Sequence, residues 1–239
     1  DEVIVAATPD FYRRALASVW MPGPFEPKSL PSYYYVTDVD KAWSTERREE
    51  HLRDLNLATL LSVSVHEVYP GHFSHFYHQR KVESRLRKSN LFAPVSFTEG
   101  WAHYCEQMMI EAGLASGDDT VELGQIVEAL LRLARMVVGI KLHTEDMSVE
   151  QGVCFFRRQA YLGEGSARRE AERGTFDPDY VLYSVGRLAL LKLRDDLLAR
   201  EGSGFTLKSF HDRLLGQGSI PLWLHRMLLV GDTGDDLLD

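Results

Sequence analysis

Between Val65 and Phe73 the chain reads His66-Glu67-Val68-Tyr69-Pro70-Gly71-His72, two imidazoles around a carboxylate and a Pro-Gly break. In an HExxH helix the two histidines lie about 40° apart around the axis and reach one zinc ion, while the Glu between them sits beside a bound water. Here the spacing is six residues, which on an unbroken helix turns the rings roughly 120° apart. Pro70 cannot continue such a helix, because its ring clashes with the carbonyl of His66 and it donates no backbone hydrogen bond; Gly71 admits dihedrals that other residues avoid. The string predicts a bulge, kink or stop that absorbs two residues and returns His72 to the side of His66. The plain alternative is a helix that stops at Tyr69 and leaves His72 on the surface without a task.

A catalytic zinc site takes three protein ligands and keeps one position open, and Glu is a frequent third ligand. The segment Thr98-Glu99-Gly100-Trp101-Ala102-His103-Tyr104-Cys105-Glu106 offers one on a second helix. Ser96-Phe97-Thr98-Glu99 also fits a capping box, in which the Glu side chain returns to the N-cap amide, so two roles compete for Glu99. Glu106 lies seven residues on, on the same helix face, where it could accept a hydrogen bond from a ligand imidazole or simply face solvent.

These strings, with Val138-Gly139-Ile140-Lys141-Leu142-His143, Asp177-Pro178-Asp179-Tyr180-Val181-Leu182-Tyr183-Ser184-Val185-Gly186 and Gly218-Ser219-Ile220-Pro221-Leu222, resemble a bacterial family of proposed zinc metallopeptidases with an HExxPGH motif, domain-of-unknown-function family 885. The resemblance covers nearly the whole chain. It implies His66, His72 and Glu99 as ligands of one zinc ion, Glu67 as general base, and a zincin-like, mostly helical fold of the HExxH-plus-Glu type. Tyr183 occupies the family's Tyr-x-x-Gly position and is the candidate donor to the oxyanion of peptide hydrolysis, with Tyr180 as substitute and a buried structural role as the alternative. Arg187 departs from the Lys or Gln that many relatives carry. Family proteins are usually more than twice this long, so the chain reads as a C-terminal portion whose missing N-terminal half forms the opposite cleft wall.

Composition agrees with a soluble globular enzyme. The 239 residues suffice for a substantial core. A net charge of -8 gives no basic footprint for nucleic acid. No apolar run approaches the ~18 residues of a membrane span, and no signal peptide opens the chain. The start at Asp1 leaves open a removed targeting segment, hence a cytoplasmic or an exported protein. Cys105 and Cys154 are too few for a disulfide framework and read as thiols buried in helices.

The elements that must position these groups suggest one α+β domain, mainly α with a small N-terminal sheet. Residues 1–40 carry two β-rich stretches, Val3–Ala6 and Ser32–Thr37, around a Pro-rich segment. They form either a structural hairpin or an edge strand able to pair with substrate backbone. Residues 41–239 read as helical. A charged opening at Ser44 leads into an apolar stripe, Leu52, Leu55, Leu57, Leu60, Leu61 and Val65, that delivers His66. His72, His75 and His78 recur every third residue, as a solvated face or a competing metal site. Val121–His143 is expected to show a wide apolar face including Leu123, Ile126, Leu131 and Val138, with His143 as a partner for its C-terminal dipole. A helix entered at Ser148 follows, then glycine-marked loops at 163–166 and 174–178, and helices at 180–200, 207–215 and 221–229. The Asp-rich end from Asp232 reads as frayed.

The leading function is a zinc-dependent metallopeptidase. A metal-bearing but inactive scaffold, or a zinc hydrolase of non-peptide amides or esters, uses the same parts.

Overall fold

The computed structural model describes residues 2–13, 15–26, 30–114 and 116–231; the Asp-rich end lies outside the described residues. Strands β1 (Val3–Ala7), β2 (Ala17–Trp20) and β3 (Ser32–Val36) form a sheet in the order β1-β3-β2. β1 pairs parallel with β3, so the two expected strands are not a hairpin, and β2 pairs antiparallel with β3, placing Val19 opposite Tyr34. Strand β2 escapes sequence reading because four residues are too few to show a period. The alternation of a strand turns Ala17 and Tyr34 inward against Val63 of the helix beneath.

Helix α1 (Thr45–Asp54) is capped by Ser44, and α2 (Leu57–Glu67) by Asn56, whose side chain accepts the amides of Ala58 and Thr59. One helix was expected here. The cap at Asn56 starts a second, and Leu52 and Leu57 fall on exposed faces, so the apolar stripe is not continuous. Then come α3 (His72–Gln79), α4 (Arg85–Lys88), α5 (Val95–Glu111) and α6 (Asp119–Thr144). In α6 Leu123 and Ile126 are exposed, whereas Gln125, Glu128 and Arg132 are buried beside Leu131 and Val138. The wide apolar face is thus corrected to a mixed one. Gly124 packs on Ala58, where a Cβ would come within 2.8 Å, and this close approach turns the polar residues of α6 toward α2.

Helix α7 (Val149–Gln159) begins with a formed capping box between Ser148 and Gln151. The stretch between the glycine-marked segments 163–166 and 174–178, together with residues 164–166 of the first, forms helix α8 (Glu164–Gly174). Its glycines stand at the ends, and Ala167 and Ala171, four apart, give it a narrow buried face. Helices α9 (Tyr180–Glu201), α10 (Leu207–Gly216) and α11 (Leu222–Val230) complete the fold.

One core cluster joins α5, α9 and α10 through Phe97, Trp101, Leu190, Leu197, Phe210 and Leu214; a second joins α6 to α9 through Val138, Phe156, Ala171 and Tyr180. Helices α5 and α9 meet at Gly100 and Gly186, where a Cβ on Gly186 would lie 1.9 Å from the Ser96 carbonyl oxygen. No described helix is long and apolar enough to cross a membrane. Cys105 is buried as expected; Cys154 is exposed, because it falls on the outer face of α7.

Candidate metal centre

Helix α2 ends at Glu67, and the chain turns back on itself before α3 starts at His72. The Gly71 amide donates to the Val65 carbonyl at 3.0 Å. A Cβ on Gly71 would sit 1.8 Å from the His66 carbonyl oxygen, so only glycine lets the turn close this tightly. The Trp101 indole N–H is shared between the carbonyls of Pro70 and Gly71, at 3.1 and 3.2 Å, which ties the turn to α5. Six-residue spacing thereby becomes adjacency: the rings of His66 and His72 have centroids 4.7 Å apart and are perpendicular.

Helix α5 supplies Glu99. Its N-cap is Pro94, one residue before Val95, so the Ser96 capping box does not form and the carboxylate is not drawn back to the helix end. Glu99 Oε2 lies 3.4 Å from His66 Nε2 and 3.4 Å from His72 Nε2. A tetrahedral zinc with bonds of ~2.0–2.2 Å spaces its ligand atoms ~3.3–3.5 Å apart. At 3.4 Å these contacts are long for charge-assisted hydrogen bonds but match that edge. His66, His72 and Glu99 are the metal-compatible group among the described residues, with donor atoms within 4.8 Å of one another. The stripe His72, His75 and His78 does not gather: His75 is buried, with Nε2 2.8 Å from Ser219 Oγ.

Glu106, buried on α5, faces the His66 ring. Its Oε1 accepts from His66 Nδ1 at 2.7 Å, which turns Nε2 toward Glu99. Arg132, on the buried face of α6, approaches the same Oε1 at 2.9 Å and pairs with Glu128 at 2.7 Å. Burial alone would raise the Glu106 carboxyl, but Arg132 and the neighbouring imidazoles hold it well below the usual range. Burial likewise works against a charged His66, yet Glu106 and Glu99 carry it up to about 9. Glu99 stays ionised against its own burial because His72 and His66 face it. Sequence reading missed Arg132; the signal was Gln125, Glu128 and Arg132 at i, i+3 and i+7 in an otherwise apolar helix.

Glu67 leaves the donor set. One step of helix turns it ~100° from His66, and its Oε2 accepts the Val19 amide of β2 at 2.9 Å. Tyr183, half-buried on α9, has the guanidinium of Arg135 5.6 Å from its ring centre. Burial and the charge of Glu99 raise its pKa, so the hydroxyl keeps its proton. Tyr180 is committed elsewhere, donating to the Glu170 carbonyl at 2.9 Å. His143 donates to the Gly174 carbonyl at 2.9 Å and so ties α6 to the end of α8.

The family model described as bacterial protein of unknown function (DUF885) matches residues 1–227. The chain belongs to the DUF885 family. Two solved structures resemble this DUF885 chain over 96% of its length. One is the "putative lipoprotein of unknown function" from Shewanella oneidensis, at 26% identity and a TM-score of 0.83. The other is the "putative lipoprotein" from Colwellia psychrerythraea, at 26% identity and a TM-score of 0.85. The DUF885 chain spans 40% and 38% of their lengths. No curated protein matches it.

Proposed function

We propose that this DUF885 chain is the metal-bearing part of a zinc-dependent peptidase, with His66, His72 and Glu99 as the ligands. The observation that carries the reading is the pair of 3.4 Å separations between Glu99 Oε2 and the two Nε2 atoms, the edge length of a tetrahedral site. A zinc ion held there supplies Lewis acidity and a water of lowered pKa. Glu67 takes the proton of the attacking water and returns it to the leaving nitrogen; the Val19 amide fixes one of its oxygens while it does so. The Tyr183 hydroxyl, kept protonated, donates to the oxygen that gains charge. Glu106 and Arg132 hold the His66 ring in one orientation. The outer edge of β2 runs past the base, which occupies its Val19 amide, and the remaining edge groups favour a backbone substrate over a small amide or ester.

Elemental analysis of protein purified without added metal, followed by a chelator-controlled digest of a peptide library, tests this reading. Glu67→Gln should keep its zinc and lose at least ~100-fold in turnover, the usual scale for removing a general base. Intact hydrolysis in that variant would refute the mechanism. Zinc without cleavage of any peptide by the parent chain would point instead to a scaffold, or to cleavage of non-peptide bonds.

A further inference from the structure

Helix α6 turns its charges inward. Between Leu123 and Ile140 the charged residues are Glu128, Arg132 and Arg135. Glu128 and Arg132 are buried and pair at 2.7 Å, and Arg135 closes on Glu170 at 2.7 Å. The opposite face carries Leu123, Ile126, Leu130, Leu133, Val137 and Ile140, spaced alternately by three and four residues. That period draws an apolar seam along one side of a helix, here ~26 Å long at ~1.5 Å per residue. Leu123, Ile126, Leu133 and Ile140 are 58%, 44%, 38% and 45% exposed; Leu130 and Val137 are half-buried.

Single apolar residues at a surface are ordinary, but a continuous apolar patch marks a contact, and a helix apolar on both sides is normally enclosed. The seam faces away from the metal centre, because Gly124 lies against Ala58 of α2 and Arg132 reaches Glu106 from the other side of α6. Its size bears on what covers it. The exposed parts of these side chains amount to roughly 400 Å², about half of the ~800 Å² per partner that separate proteins bury in a stable complex. Contacts between domains of one chain are stable at that size, since the link between them removes most of the cost of association. Two solved relatives share the fold over 96% of this chain, which spans 40% and 38% of their lengths. About three-fifths of each relative therefore lies outside the shared fold.

We propose that the α6 seam is the docking site of a further part of the same polypeptide, which lays an amphipathic helix along it with Leu, Ile or Val at the matching three- and four-residue spacing. The inference does not depend on the peptidase reading. The docked helix encloses the outer side of the element whose inner side presents Arg132 to Glu106.

The test compares the 239-residue chain with the longest form of the protein that its gene encodes. Both carry Cys154→Ser, which removes the exposed thiol, and one reporter, Ile126→Cys or Leu133→Cys. Maleimide labelling should be fast in the 239-residue chain and at least ~100-fold slower in the longer form at concentrations where sedimentation shows a monomer. Separately, Leu133→Glu should leave the melting temperature of the 239-residue chain within ~2 °C of its parent and lower that of the longer form by at least ~5 °C. Fast labelling in the longer monomer, an equal effect of Leu133→Glu on both forms, or a gene that encodes no further residues overturns the proposal. Slow labelling already in the 239-residue chain overturns it too, since the seam is then covered from within. Protection that appears only when the longer form dimerises assigns the seam to a second copy, and protection that appears only with phosphatidylglycerol vesicles assigns it to a lipid surface; either result overturns the proposal.

Discussion

Glu99 lies a turn inside α5, and its carboxylate faces two imidazoles instead of the helix end. That arrangement makes Glu99→Ala diagnostic. Loss of a cap would cost ~0.5–2 kcal/mol and leave metal in place, whereas loss of a ligand should empty the site; we expect zinc per chain to fall from near one toward zero, measured by elemental analysis. Full occupancy in the variant would remove Glu99 from the ligand set. At this scale much could be read in the sequence. His66, Glu67, His72, Glu99 and Glu106 are linked by spacing within one or two helices, and spacing is what a sequence displays. Arg132 was signalled only by the polar spacing of Gln125, Glu128 and Arg132 in an apolar helix, and the Val19 amide, a backbone group of a four-residue strand, by nothing. His75 was misread because its partner Ser219 lies 144 residues away, in a segment with no motif that points back to it.

Two helix contacts decide whether the elements meet correctly. At the α5–α9 crossing, Gly186→Ala would place a Cβ 1.9 Å from the Ser96 carbonyl oxygen. Relief requires the helices to part, at a cost of ~1–3 kcal/mol or more. In a chain of this size each kcal/mol lowers the melting temperature by roughly 2–4 °C. Calorimetry should show that drop, and turnover should fall with it, since Tyr183 sits one turn before Gly186.

The second contact is the seam between α3, α5 and α11, where His75 and His225 both lie against Phe97. Burial pushes each imidazole down to about 3. The unfolded chain binds protons at these residues below its ordinary pKa of about 6.5, while the folded chain does not, so stability is full above that value and falls with acid. By pH 5 each histidine should remove about 2 kcal/mol, whether its folded pKa is 3 or 4. His66 works the other way in metal-free protein: with a folded pKa of about 9, its stabilisation is full below 6.5 and already declining at pH 7, so the step to pH 5 returns slightly under ~1 kcal/mol, less than the two buried imidazoles remove. Urea midpoints of chelated protein at pH 7 and pH 5 check the expectation; equal midpoints would contradict it.

As a whole molecule, the chain covers 40% and 38% of two solved relatives. Each proposed ligand and the proposed base lie within it, while positioning of substrate accounts for much of catalysis. We expect the 239-residue chain to hold zinc and to cleave peptides weakly beside a longer form of the protein. Equal kcat/KM for the two would show that the additional part is dispensable. The α+β class and most helices were legible because long apolar periods and caps such as Ser148 act locally. β2 and α8 were not. A four-residue strand has no period to read, and α8 owes its place to two alanines that fit under α6 and α7 rather than to any stripe of its own.

The bond from the Val19 amide to Glu67 ties together two regions that look separable in sequence. Residues 1–40 contain none of the proposed metal ligands, so the helical region could be mistaken for a portable module. Moved alone into another protein, it would carry all three donors and leave the base without its anchor. On the peptidase reading proposed above, such a graft would sequester metal without an oriented base to use it, and the small sheet would be part of what separates a hydrolase from a metal store.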